Sequence, residues 1–220
     1  MLIGAIAIYF FSIVYLVRAF GITTQSIRAV QLTQGMVLAQ VFSYVPILAY
    51  ILILLPWLAH RPLSSIFGPF HGRQVFAGLL GAIMMWLSVM IVGAIQAGFL
   101  GHQPTQTAVK LFENAKPGIW LDVMAVVAIT LAPFAEELIF RGFIFNALWR
   151  RLPFSLSALG SGILFGIAHG QSAGIAPLAA GGFVLASVYA RSGSLWSSMI
   201  AHGTFNGITL ALLLVAGIKT

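Results

Sequence analysis

Three residue pairs spaced i, i+4 stand out in a chain that otherwise has little to titrate. They are Glu137…Arg141 (preceded by Glu136), Phe165…His169 and His202…Asn206. On an α-helix, residues four apart share a face. Two carboxylates and two imidazoles suit two kinds of chemistry. In one, Glu136 takes a proton from water and His169 holds the same water. His202 and the Asn206 amide then donate to the oxyanion formed when water attacks a carbonyl. In the other, Glu136, His169 and His202 ligate a catalytic zinc with water in the fourth position. Residue types alone do not separate zinc from no cofactor. Glu137 and Arg141 fit a supporting role. Their acid-first order favours a helical ion pair, and removing one partner of a buried pair costs about 3–5 kcal/mol. Phe165 reads as packing beside the site.

The elements that position these residues must lie in a bilayer. Of 220 residues, 60% are hydrophobic and 7% charged, against about 45–50% and about 25% in soluble domains. This excludes a cytosolic enzyme and a disordered tail. Eleven Lys+Arg against four acids give a net charge of +7. Basic residues at the ends of apolar segments are membrane anchors, so no nucleic-acid partner is expected. With no Cys, disulfides, thiolate metal sites and a Cys nucleophile are excluded. Two of the four acids, Glu136 and Glu137, sit side by side within an apolar segment.

The fold expected is all-α, a polytopic bundle of about 7–8 membrane helices. Apolar runs cover 2–17, 35–58, 74–100, 119–149, 153–169, 175–190 and 195–215. Pro46, Pro56 and Pro133 predict kinks, which a bundle tolerates. The first run reads as a retained helix rather than a removed signal. His60, His71 and His102 fall in polar connections and receive no role. Lys and Arg divide evenly between the two sides, which leaves orientation open. A depth count joins the three motifs. From the Arg150-Arg151 turn, Glu136 is roughly 21 Å deep and His169 roughly 24 Å; His202 and Asn206 lie roughly 15 and 21 Å from the Arg191 end. Ionisable groups at such depth mark function by default.

These three clusters resemble the signatures of the CAAX prenyl protease and bacteriocin-processing family of intramembrane proteases, also called the Abi family. Its pattern is EExxxR, then FxxxH, then HxxxN or HxxxD. The resemblance spans about residues 119–215, so the chain divides into N-terminal helices (1–118) and a catalytic core (119–217) within one membrane domain. It implies an endopeptidase with Glu136 and His169 activating water and His202 and Asn206 supporting the oxyanion. Glu137, Arg141 and Phe165 support them. The substrate implied is a peptide or protein in the membrane, prenylated or otherwise membrane-associated. Family members are described both as metalloproteases and as metal-independent glutamate proteases. The short loops look like those of a prokaryotic member, in the plasma membrane.

Two other classes use similar residues. A proton-coupled transporter relays protons through buried Glu and His, but inverted repeats are not evident. An idle scaffold would bind another membrane protein, yet all four chemical residues are intact. Other protease patterns are missing: there is no HExxH, only one aspartate for an aspartyl pair, and no GxSG.

Overall fold

Apolar runs of about 20 residues satisfy their own backbone hydrogen bonds only as helices in lipid, and helices are what form. The computed structural model describes residues 15–16, 18–20, 22, 32–54, 64–101, 107–169 and 174–217. Most of the first expected span, together with His60, His102 and residues 170–173, lies outside the described residues. Among the described residues, every regular element is helical. In chain order these are α1 (Gln34–Ala49), α2 (Ser64–Phe67), α3 (Gly72–Leu100), α4 (Thr107–Glu113), α5 (Ile119–Trp149), α6 (Phe154–Ala168), α7 (Ile175–Ser192) and α8 (Leu195–Gly217).

Five of them are long and apolar enough to cross a membrane: α1 with its following turn, α3, α5, α7 and α8. The protein is an integral, multi-pass membrane protein with a helical bundle. α6 has 15 residues, about 22 Å of helix, short of a core of about 30 Å. Helix ends follow local chemistry. Thr33 caps α1 by accepting from the Met36 amide at 3.2 Å. α3 and α7 stop at Gly101 and Gly193, whose φ values of 72° and 66° suit glycine.

α5 is not one uniform helix. The expected irregularity at Pro133 takes the form of two wide π-helical turns, Val127–Leu131 and Leu138–Phe145, around α-helical Ala132–Glu137. Proline lacks the amide hydrogen an interior α-turn needs, and π turns recur near functional sites.

The chain divides into two compact units. The first comprises residues 1–63, 107–135 and 209–220. Its described core is Tyr44, Val127 and Ala135, flanked by Val41, Leu48, Val123 and Leu131.

The second unit comprises residues 64–106 and 136–208, and it holds every motif residue. Here α3 turns a small-residue face inward: Gly78, Gly81, Ala82 and Met85 are buried. A Cβ at Gly78 would meet Ile200 at 2.7 Å, and one at Gly81 would meet Val188 at 2.6 Å. The opposite face leaves Phe76, Leu80, Ile83, Leu87 and Ile91 exposed, as suits lipid. α6 and α7 approach more closely still. A Cβ at Gly162 would sit 2.5 Å from the Ala179 carbonyl oxygen, and one at Gly166 would sit 2.6 Å from that of Ile175. Met85, Leu185, Ala201 and Phe205 form one core, and Phe145, Ala158 and Ala186 another.

Candidate active site

Adjacent helical residues point about 100° apart, so Glu136 and Glu137 have different surroundings. Glu137 is wholly buried. Its Oε1 accepts from Arg141 Nη1 at 2.7 Å and lies 3.0 Å from His202 Nδ1. Arg141, also wholly buried, donates from Nη2 to the Gly182 carbonyl at 2.8 Å. Gly182 is near enough because α7 lies against Gly162: a Cβ on Gly182 would meet the Gly162 Cα at 2.7 Å. A small-residue contact between two helices thus delivers a backbone acceptor to a guanidinium on a third.

Glu136 faces the histidines. Its Oε2 lies 3.9 Å from His169 Nε2 and 3.9 Å from His202 Nε2. Each gap is too long for a direct hydrogen bond. A water can span it, about 2.8 Å from either atom.

The other ring nitrogens fix the tautomers. His169 Nδ1 is 2.8 Å from the Phe165 carbonyl oxygen. A carbonyl only accepts, so Nδ1 carries the hydrogen and the neutral ring turns its Nε2 lone pair toward Glu136. His202 Nδ1 likewise donates to Glu137, whose carboxylate already accepts from Arg141. For His202 to donate from Nε2 as well, it must be an imidazolium, with Glu137 as its counter-ion.

Phe165 holds the arrangement from below. Its ring centroid lies 4.6 Å from that of His169, 5.5 Å from that of His202 and 5.2 Å from that of Phe140. The Arg141 guanidinium carbon lies 5.0 Å from it. Phe165 is buried at 1% exposure, packed against both imidazoles.

The structure therefore brings Glu136, His169 and His202 around one small volume, with Glu137, Arg141 and Phe165 behind them. Asn206 follows His202 by one turn of α8 on the same face, partly buried. Sequence reasoning missed the Glu137–His202 contact, because it joins residues 65 positions apart on different helices. It also missed Asn146. That amide donates to the Arg141 and Gly142 carbonyls at 2.9 and 3.1 Å and to the Tyr189 hydroxyl at 2.9 Å. An Asn one turn beyond a buried Arg was a signal that could have been read.

Two His and a Glu are suitable zinc donors, and both imidazoles are anchored through Nδ1, as ligand imidazoles usually are. The distances do not fit the ion. Two ligand atoms about 2.05 Å from a tetrahedral zinc lie about 3.4 Å apart, whereas Glu136 stands 3.9 Å from each nitrogen. Among the described residues, no group of three His, Asp or Glu side chains is placed to hold a metal ion.

Residues 118–208 match the Rce1-like family model, described as type II CAAX prenyl endopeptidase Rce1-like. Over these residues, about two fifths of the chain, the sequence is similar to this CAAX protease family. The matched segment contains Glu136, Glu137, Arg141, His169, His202 and Asn206. Over 178 residues the chain is 27% identical to "Putative membrane peptidase YdiL" of Bacillus subtilis (strain 168), covering 79% of this chain and 70% of that protein. It is also 29% identical over 169 residues to the protein YyaK of the same strain, covering 68% of this chain and 54% of that protein. No solved structure matches. Family and relatives together support a membrane protease.

Proposed function

We propose that the chain is an intramembrane endopeptidase that hydrolyses a peptide bond with a Glu136-activated water and no metal ion. The observation that carries this reading is the position of Glu136 Oε2, 3.9 Å from two imidazole nitrogens. A water seated there gives one proton to Glu136 and hydrogen-bonds to His169 Nε2. Its oxygen attacks the scissile carbonyl carbon, and the C=O π pair moves onto the carbonyl oxygen. His202 Nε2–H and the Asn206 amide support that charge. Collapse of the intermediate breaks the C–N bond, and the amine leaves with the proton that Glu136 carried. Every group in this sequence belongs to the chain or to water.

The match of residues 118–208 to a family of endopeptidases favours hydrolysis over the carrier and scaffold readings. The substrate proposed is a peptide or protein held in the membrane, prenylated or anchored by an apolar segment. The test compares membrane proteomes of cells carrying the wild-type protein and Glu136→Ala. A full-length protein that accumulates only in the variant identifies the substrate. A purified Glu136→Ala protein that cleaves this substrate at the wild-type rate overturns the mechanism.

A further inference from the structure

One end of the second unit is basic, aromatic and tightly packed. Arg73 lies in the first turn of α3, Arg150 and Arg151 between α5 and α6, and Arg191 in the last turn of α7. Contacts place them at one end. Ser194 Oγ donates to the Pro69 carbonyl at 2.7 Å, the Phe70 ring meets Trp196 at 5.5 Å, and the Arg191 guanidinium carbon lies 6.0 Å from the Phe154 ring centroid. Arginines beside aromatic side chains mark a membrane–water interface.

Between that end and Glu136 the interior is filled. Phe145 packs on Trp149, Phe154 and Tyr189 at centroid distances of 5.1, 6.1 and 5.9 Å. One turn deeper lie Arg141 and Glu137, both at 0% exposure. Beyond them the site opens. Side-chain exposure is 4% at His202, 19% at Glu136 and 32% at His169.

His169 is the residue at which α6 ends. Counted from Phe154, it lies about 22 Å from the arginine end, so α6 stops about 8 Å short of a core about 30 Å thick. We infer that water reaches Glu136 from the membrane face opposite the arginine-bearing end, the side on which α6 ends. The hydrolysed bond then lies near that far face. This inference rests on the hydrolytic reading, and its test reads labelling, not activity.

The chain contains no cysteine, so single cysteines can be introduced without background. Arg151→Cys marks the arginine end, Leu100→Cys the far end of α3, and Ala168→Cys the proposed entry. All three positions are exposed. The full protein in membrane vesicles of both orientations is treated with a membrane-impermeant maleimide. Ala168→Cys is expected to react from the same side as Leu100→Cys, and Arg151→Cys from the other. Reaction of Ala168→Cys from the Arg151 side, or from neither side while Leu100→Cys reacts, overturns the inference. If labelling is as expected but Glu136→Ala still cleaves, the access route stands and the hydrolytic role of Glu136 fails.

Discussion

Glu137 Oε1 lies 3.0 Å from His202 Nδ1 while bonded at 2.7 Å to Arg141. One carboxylate oxygen thereby ties α5 to α8 and sets which nitrogen of His202 faces the site. Wholly buried, Glu137 is placed to orient the imidazole in the way the carboxylate of a hydrolase triad orients its histidine.

Glu137→Gln tests that role. Glutamine keeps the size but loses the charge that compensates an imidazolium. The protein should remain folded, with kcat lowered and KM little changed. Wild-type kcat at every pH tested would reject Glu137 as the positioning group of His202.

Arg141 makes the complementary prediction. Arg141→Met leaves the buried Glu137 with His202 alone of its two partners, at a cost of up to about 3–5 kcal/mol. Thermal unfolding in detergent should show a large loss, and adding Glu137→Gln should recover part of it. Additive losses in the double variant would show that the two side chains act independently.

Phe165 touches both site histidines, so Phe165→Leu should loosen them while keeping an apolar side chain. A stability cost of about 1–3 kcal/mol is expected from the lost volume, with kcat reduced more than KM. Unaltered kcat would mean the ring merely fills space.

Glycine substitutions separate close packing from helix propensity. Gly162→Ala drives a methyl to 2.5 Å from the Ala179 carbonyl oxygen, where backbone must yield. It should destabilise the α6–α7 contact and the Arg141 bond to Gly182. Gly98→Ala, with nothing within 4 Å, should be neutral or stabilising by up to about 1 kcal/mol. Equal Tm shifts of the same sign would contradict the packing account.

Zinc can be tested directly. The 3.9 Å donor spacing predicts that purified active protein carries no stoichiometric zinc and keeps its activity in saturating chelator. One zinc per chain, with activity lost on chelation and restored by the ion, would reject the metal-free mechanism.

Much of this architecture was legible because lipid imposes a simple rule. Six of the seven apolar runs coincide with described helices, including 119–149 with its boundaries as expected. The far end of the second run, 55–58, lies outside the described residues, and the third begins two residues earlier than expected, at Gly72. Such ends depend on caps and turns that hydrophobicity does not encode. Glu136, His169 and His202 could be placed at similar depth by counting 1.5 Å per residue. Counting could not show that Glu137 serves two partners, since that depends on helix rotation. Nor could it show how Pro133 is accommodated, because turn width is set by packing.

The π-helical stretch Leu138–Phe145 makes chain length itself a constraint. A π turn closes its ring with one more residue than an α turn. Relaxing the segment to an α-helix without removing a residue would push that extra residue into the register of the chain that follows. Everything after it, Asn146 included, would then swing about 100° relative to Glu136. Substitutions that keep the wide turns alter one side chain at a time, whereas an added residue with no further widening re-aims a whole helix. Descendants of this sequence should therefore vary in letters across 138–145 far more readily than in the number of letters.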